Sequence, residues 1–463
     1  MAQLLRMQGE GAVFANRITL EGGVPGATWD DNIFLNDMPM MLSSSYAATF
    51  PGGASYTLDA GFFSLSGADD NVSWTAQNGS TLVSNSTLPA AYYVGNLSSI
   101  SYGLHVGNVA HNVAPSLIIG GYDASRYLSE PLVTSPDSLH LESVMLSVSS
   151  GDSAYKDASS ENVDLLPKGR ASSLSTVIEP GLPYMYLPRS TCDAIAEQIP
   201  VTYRDVFDLY FWDTEADGYE KIIGWRHSIA FTLTDGASGG SKVDIHVPFA
   251  LLNLSLTPPL VEEATPYFPC SPLEDDAKVY LGRSFLQAAY LVQNWQSDSL
   301  FLAQAPGPSI AAQNLKDLQE LDSTLQPPAV QQDWAESWSG VLKPYTRSAD
   351  SGDMNNRDDS SGLSDGATAG IAVGGVGAGL IGVGVLYCVL RRRKRTVGKE
   401  QADEPVLALG HPSEQSQGVR SEMESTPVVE MDATRAAREL DGKSLPESRS
   451  ANVVHELGEG RQQ

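Results

Sequence analysis

The stretch VIEPGLPYMYLP, residues 177–188, places an acid at the tip of a turn between two apolar runs. A β-branched pair favours a strand, Pro-Gly favours a tight turn, and the alternation that follows favours a second strand. The residues expected in the core are Val177, Ile178, Tyr184, Tyr186 and Leu187. Glu179, at the turn, is then either half of a catalytic carboxylate pair or an ordinary loop acid.

Composition favours a turn-rich β protein. The chain has 463 residues, enough for one large domain with appendages or for two domains, and it contains 42 glycines and 27 prolines. The formal net charge is −27. A nucleic-acid surface needs clustered Lys and Arg, so we expect no nucleic-acid partner.

From about residue 11 to residue 305, short apolar alternations are separated by Gly, Pro, Asn and Ser clusters, which predicts many β-strands and no long helix. A β-sandwich is possible, but a two-lobed pair of barrels fits the length better. One short helix is predicted in RSTCDAIAEQI, residues 189–199, with Ser190 as its cap.

Residues 367–390, ATAGIAVGGVGAGLIGVGVLYCVL, carry no charge and are followed by RRRKR. At about 1.5 Å per residue this stretch can cross a hydrocarbon core of about 30 Å. The basic flank predicts a single span with the preceding residues extracellular or lumenal and the tail cytoplasmic, at the plasma membrane or another secretory-pathway membrane. A buried soluble helix is the less favoured alternative.

Five glycosylation triplets agree with that orientation, because all of them precede the predicted span. The acceptors are Asn71, Asn78, Asn85, Asn96 and Asn253. The first residues lack the apolar core of a signal peptide, so we expect the natural start to lie upstream of Met1.

Three stretches together resemble pepsin-like aspartic peptidases. SLIIGGYDASRY, residues 116–127, resembles the strand and turn that close the N-terminal lobe of that family, and Asp123 in it is expected to be structural. VIEPGLPYMYLP resembles the second active-site loop, and residues 279–305, from VYLGRSFL onward, resemble the final segment. Residues 231–259 are similar to the membrane-anchored fungal members in particular.

The resemblance implies a mainly β, two-lobed pepsin-like fold whose N-terminal lobe is incomplete, because GEGAVFANRITLEGG resembles the end of the flap. The first catalytic Asp would then lie before Met1, and Asp59 only imitates that motif. The expected segments are a partial N-terminal lobe (1–138), a C-terminal lobe (139–305), a flexible stalk (306–366), the membrane span (367–390) and a disordered tail (391–463).

Aspartic peptidases use two carboxylates about 3 Å apart that share one proton. Glu179 occupies the position that matches the second Asp, but it is one methylene longer, and Pro180 offers neither hydroxyl nor N–H. A displacement of about 1 Å can cost about 10²-fold in rate. We therefore expect a degenerate site.

The cysteines and histidines predict no metal or cofactor. There is no CxxC pair, and the histidines before the span lack ligand spacing. His105, His111, His227 and His246 are among these scattered histidines. Cys192 and Cys270 can form one disulfide outside the cell, and Cys388 is either palmitoylated or, as we favour, apolar filler.

Three hypotheses follow for function. The first is a catalytically impaired ectodomain that binds peptide or another surface protein. The second is an acid-dependent aspartic endopeptidase with its first Asp upstream and Glu179 as a poor second carboxylate. The third is a truncated chain with open sheet edges that does not fold stably.

Overall fold

The computed structural model describes Leu4 and residues 6–20, 33–58, 61–67, 71–75, 79–94, 97–169, 173–237, 239–345 and 429–431. The described strands before the Glu179 turn are β1 Met7–Leu20, β2 Ile33–Thr49, β3 Ser55–Thr57, β4 Asn71–Thr75, β5 Thr81–Asn85, β6 Ser101–His105, β7 Ser116–Ile119, β8 Gly121–Asp123, β9 Leu132–Thr134, β10 His140–Val148 and β11 Leu174–Ile178. The strands after it are β12 Met185–Pro188, β13 Val201–Arg204, β14 Leu209–Trp212, β15 His227–Thr234, β16 Lys242–Pro248, β17 Leu254–Leu256, β18 Thr265–Phe268, β19 Cys270–Leu273, β20 Val279–Leu281, β21 Ala289–Asn294, β22 Ser299–Gln304, β23 Leu315–Asp317 and β24 Val429–Met431.

Helices are few and short, as the sequence predicts. The described α-helices are α1 Thr87–Tyr93, α2 Arg189–Gln198, α3 Tyr219–Gly224, α4 Arg283–Leu286 and α5 Trp334–Ser337, with 3-10 turns at Pro136–Ser138, Ala158–Ser160 and Phe249–Leu252. The prediction of a mainly β chain is therefore confirmed for the residues that the structure describes.

The strand order of one seven-stranded sheet positions the Glu179 turn. Its order is β16-β15-β10-β11-β20-β12-β19, so β20 lies between the two strands that the turn connects. Strand β20 pairs parallel with β11 and antiparallel with β12. The turn therefore crosses the end of β20, and residues just after β20 come close to it.

A second sheet joins parts of the chain on both sides of residue 138. Its order is β7-β6-β21-β22-β9, which combines early strands with the last long hairpin. Both strands of that hairpin are fully buried along their length. The remaining sheets are β13-β14-β18-β17, β24-β1-β2-β3, β23-β8 and β4-β5.

The predicted disulfide is confirmed. Cys192 in α2 and Cys270 in β19 are bonded at an S–S distance of 1.99 Å, and both are fully buried. The bond closes a separation of 78 residues and ties α2 to the edge of the seven-stranded sheet.

The predicted helix after β12 exists, but its cap is different. Helix α2 begins at Arg189 directly after Pro188, and no side chain caps it. Ser190 lies inside the first turn, where its N–H donates to Asp275 Oδ1 at 3.0 Å. The first N–H groups of a helix have no partner inside the helix, and a capping side chain usually accepts from one of them. Here strand β12 leads directly into the helix, and the carboxylate of Asp275, distant in sequence, accepts from the Ser190 N–H instead.

The expectation of an unpacked stalk from residue 306 is wrong for residues 306–345. Leu318, Trp334, Trp338 and Leu342 are buried, and β23 pairs antiparallel with β8. A polar composition indicates solvent exposure on average, but it does not exclude docking by a few large apolar side chains at wide spacing. We call residues 306–345 the C-terminal strap.

The expected membrane span, the rest of the stalk and nearly all of the tail lie outside the described residues. Within the described ranges, no helix has the length and apolar character needed to cross a bilayer. The segment boundaries given for these regions stay predictions.

Candidate functional site

Main-chain hydrogen bonds hold the Glu179 turn against the residues that follow β20. The N–H of Glu179 donates to Leu281 O at 3.0 Å, and the N–H of Leu182 donates to Glu179 O at 3.0 Å. The N–H of Arg283 donates to Leu182 O at 2.7 Å. None of these bonds depends on the identity of the Glu179 side chain, so the turn can keep its shape when that side chain changes.

Gly282 is required by the closeness of this contact. A Cβ at Gly282 would lie 2.4 Å from Leu182 O and 2.6 Å from Tyr184 O, both main-chain oxygens that cannot move aside. The Leu-Gly pair that contributed to the family resemblance therefore has a packing reason here. Tyr184, which the alternation placed in a strand, lies in the turn and is half-buried.

The carboxylate of Glu179 faces its own turn. Its Oε1 accepts the N–H of Gly181 at 2.9 Å, and the side chain is half-buried. Burial raises the pKa of Glu179, and the hydrogen bond from Gly181 opposes that rise. Tyr102 in β6 is buried, and burial first and the charge of Glu179 second raise the pKa of its hydroxyl.

Within the described ranges, Glu179 has no carboxylate partner. No other carboxyl group shares a hydrogen bond with it or contributes to the shift of its pKa. Pro180 follows it and can supply neither a hydroxyl nor an N–H to orient it. The described part of the site therefore holds one carboxylate, which accepts a hydrogen bond from its own turn, rather than two carboxylates that share a proton.

A small cavity of about 60 Å³ lies beside the same turn. Aromatic and apolar side chains form most of its wall, and two arginines complete it. The residues that matter below are Arg6, Tyr56, Gly181, Tyr184, Tyr186 and Arg283. Gly181 and Tyr184 of the turn line the cavity, whereas Glu179 does not.

Sequence reasoning missed Arg283 and Tyr102. Arg283 was visible as a cation directly after the Leu-Gly pair in VYLGRSFL, and its Nη1 donates to Pro180 O at 3.2 Å and Gly181 O at 2.9 Å. Tyr102 had no local signal, because it is distant from Glu179 in the sequence and the charge of Glu179 acts on its hydroxyl only in the folded chain.

The predicted glycosylation sites fall in different environments. Asn71 is exposed, and Asn85 and Asn253 are half-buried. The Nδ2 of Asn253 donates to the hydroxyl of Tyr219 at 2.9 Å. The remaining two acceptors, Asn78 and Asn96, lie outside the described residues, as does Cys388.

The other polar residues that the sequence singled out are packed apart from Glu179. Asp123 is fully buried, and its Oδ1 accepts from Ser125 and from the N–H of Asn314. Burial lowers the pKa of His105 and of His227 to about 4. Among the described residues, no three His, Cys, Asp or Glu side chains are grouped as metal ligands. Asp59 lies outside the described residues.

Comparison with known proteins gives a structural likeness alone. No family model matches the chain, and no curated protein matches it. Among solved structures, the chain is similar to the aspartic proteinase from Irpex lacteus, with a TM-score of 0.40 and 12% sequence identity over 66% of this chain and 91% of that chain. A functional assignment therefore depends on the residues described above.

Proposed function

We propose that the chain is a single-pass membrane protein whose outer part has a pepsin-like architecture and binds peptide or a surface protein without cleaving it. The observation that carries this proposal is the state of Glu179. Its carboxylate is bonded to the N–H of Gly181 in its own turn, and no second carboxylate acts on it within the described ranges.

Peptide hydrolysis of the aspartic type needs a water held between two carboxylates, one acting as base and the other as acid. A single carboxylate can take or give a proton, but it cannot do both to the same water and substrate at once. The extra methylene of Glu179 and the proline after it both work against restoring the geometry. We therefore expect turnover to be absent or very low.

Binding has no such requirement. An extended peptide can pair with exposed main chain and place single side chains in pockets without any catalytic acid. The cavity beside the Glu179 turn offers aromatic walls from Tyr56, Tyr184 and Tyr186, which suits a side chain or a chain end of such a peptide. The uncharged stretch at 367–390 and the RRRKR flank support membrane attachment.

The test uses the full chain in mild detergent, together with the variant Glu179→Gln. Both are incubated with an unfolded protein substrate across about pH 3 to 7, with and without a statine-type inhibitor, and both are titrated with an acetylated peptide library. The proposal expects saturable peptide binding by both proteins and no inhibitor-sensitive cleavage by either. Peptide binding by neither protein would refute it.

The second candidate is an acid-dependent aspartic endopeptidase. The observation that favours it is that burial raises the pKa of Glu179, since an acid that holds its proton longer is the kind a peptidase uses to protonate a leaving group. Cleavage that a statine blocks and that Glu179→Gln abolishes would establish this second function. Cleavage that survives in Glu179→Gln would point to a contaminating peptidase.

A further inference from the structure

One arginine gives the cavity beside the Glu179 turn an uncompensated positive charge. Arg283 is exposed, and its two hydrogen bonds both come from Nη1 and end on main-chain oxygens of the turn. Within the described ranges it has no acidic partner. Its Nε and Nη2 donors are therefore free to receive an acceptor that enters the cavity.

The second arginine of the cavity has a different role. Arg6 forms a 2.6 Å ion pair with Asp208, and Asp208 also accepts from the hydroxyl of Tyr203 at 2.7 Å. Asp208 also lies 3.6 Å from Nη2 of Arg189, so one carboxylate is shared by two guanidinium groups. The Nη2 of Arg6 is nevertheless held by that ion pair, whereas Arg283 has no ion pair within the described ranges. Arg283 is thus the residue to which an anionic ligand would be attracted.

The charge of Arg283 acts on the aromatic wall as well. Tyr186 is buried at the cavity, where burial raises the pKa of its hydroxyl while the charges of Arg6 and Arg283 oppose that rise. Tyr184 and Tyr267 pack edge to face, with their ring centroids 6.0 Å apart. Arg283, Tyr184 and Tyr186 line the same cavity, so a guanidinium and aromatic rings share its wall, an arrangement that suits a carboxylate attached to an apolar or aromatic group.

The whole-chain charge makes this local arrangement informative. The protein carries a formal charge of −27, so its net field repels acidic ligands, and a site that attracts them needs a local cation. A cavity of about 60 Å³ has room for a carboxylate with a methylene or two. Of the groups that a peptide carries, a carboxylate fits both the size and the sign.

We propose that the cavity lined by Arg283, Tyr184 and Tyr186 is a recognition site for a peptide carboxylate, either the C-terminal carboxylate or an Asp or Glu side chain. This inference rests on the proposed peptide-binding function and names the ligand chemistry of that site. Arg283 binds the carboxylate through Nε and Nη2, while its Nη1 stays on the carbonyls of Pro180 and Gly181.

The test compares acetylated tetrapeptides that end in Phe. Two of the pools have the same sequences, and the C-terminus is a free carboxylate in one pool and an amide in the other. Each pool, and a third amidated pool with one internal Asp, is titrated into the full chain by calorimetry. The inference expects at least one carboxylate-bearing pool to bind about tenfold more tightly than the uncharged pool, which corresponds to about 1.4 kcal/mol. Which of the two binds distinguishes a chain end from a side chain.

Three variants and the salt dependence complete the design. Arg283→Gln should remove the preference, and Arg283→Lys should keep part of it, because a point charge remains without the fork geometry. Lys156→Gln removes the same charge from an exposed residue outside the cavity and should leave the preference unchanged. The preference should also shrink as salt is raised from about 0.05 to about 0.5 M.

The outcomes separate the two proposals. Equal binding of all pools by the unaltered protein would overturn the carboxylate inference and leave peptide binding intact. Binding of no pool would overturn both. A carboxylate preference that survives unchanged in a folded Arg283→Gln variant would overturn the assignment to this cavity.

Discussion

Replacing Trp334 by Ala tests whether the C-terminal strap is part of the folded domain. Trp334 is 5% exposed and stacks on His246, with ring centroids 5.3 Å apart and ring planes within 13°. Removing a buried Trp side chain costs about 3–5 kcal/mol of unfolding free energy. A residue in an unpacked stalk would cost nothing measurable, so the two descriptions of this segment predict different results.

The measurement is denaturant unfolding of the full chain, followed by circular dichroism so that the loss of one indole does not change the signal itself. The matched control is Leu321→Ala in the same strap, because Leu321 is 82% exposed and should change stability by less than about 0.5 kcal/mol. If Trp334→Ala costs no more than Leu321→Ala, the packing of the strap described here is wrong.

A double-mutant cycle then assigns part of the cost to the stacked pair. His246→Ala, Trp334→Ala and the double variant should give a coupling of about 0.5–1.5 kcal/mol, the range for well-placed aromatic pairs. A coupling near zero, with a large single cost for Trp334, would mean that Trp334 is stabilised by burial alone and that the stacking adds nothing.

Three further changes have definite expected results. Replacing both Cys192 and Cys270 by Ala opens a 78-residue closure and should lower the denaturation free energy by about 4.5 kcal/mol, whereas a loss below about 1 kcal/mol would contradict the loop-closure argument. Asn253→Gln moves the donor away from its tyrosine and should cost about 1 kcal/mol in the same assay, while the exposed Asn71→Gln should cost nothing measurable. Burial lowers the pKa of His227 from 6.5 to about 4, so protonation of this side chain favours the unfolded chain. As pH falls from about 6.5 to about 4, His227 should therefore reduce the free energy of unfolding by about 1.4 kcal/mol per pH unit. A His227→Gln variant with an unchanged slope of stability against pH would refute this.

The sequence predicted the features that depend on local pattern. Alternation and turn residues indicated the strands on either side of the Glu179 turn, and the structure has them at Leu174–Ile178 and Met185–Pro188. The predicted span and the glycosylation triplets indicated an extracellular or lumenal location for the residues before the span. That location favoured a disulfide between Cys192 and Cys270, and these two cysteines are bonded. The strands could be predicted because their pattern spans only a few residues. The disulfide could be predicted because only two cysteines precede the predicted span.

What the sequence could not predict depends on contacts between distant residues. Ser190 looked like a helix cap because nothing local shows that strand β12 continues into the helix and that Asp275 takes over the N–H. The strap looked like a stalk because its apolar residues are too sparse to form a pattern, yet Trp334 and Trp338 each find a histidine of the preceding domain. Whether such a segment docks depends on the surface of the domain it packs against, and the composition of the segment does not describe that surface.

The main-chain contacts of the Glu179 turn fix its shape independently of the side chain at its tip. Its shape is fixed by main-chain bonds to Leu281 and Arg283 and by the closeness that only Gly282 permits, and none of these constrains the acid at position 179. A longer acid can therefore replace a shorter one without disturbing the sheet, and a proline can follow it. Beside the turn, Nη1 of Arg283 donates to the carbonyls of Pro180 and Gly181, and within the described ranges its Nε and Nη2 have no partner. The proposed peptide binding is therefore tested at the cavity beside Arg283, and Glu179→Gln should leave that binding intact because Glu179 does not line the cavity.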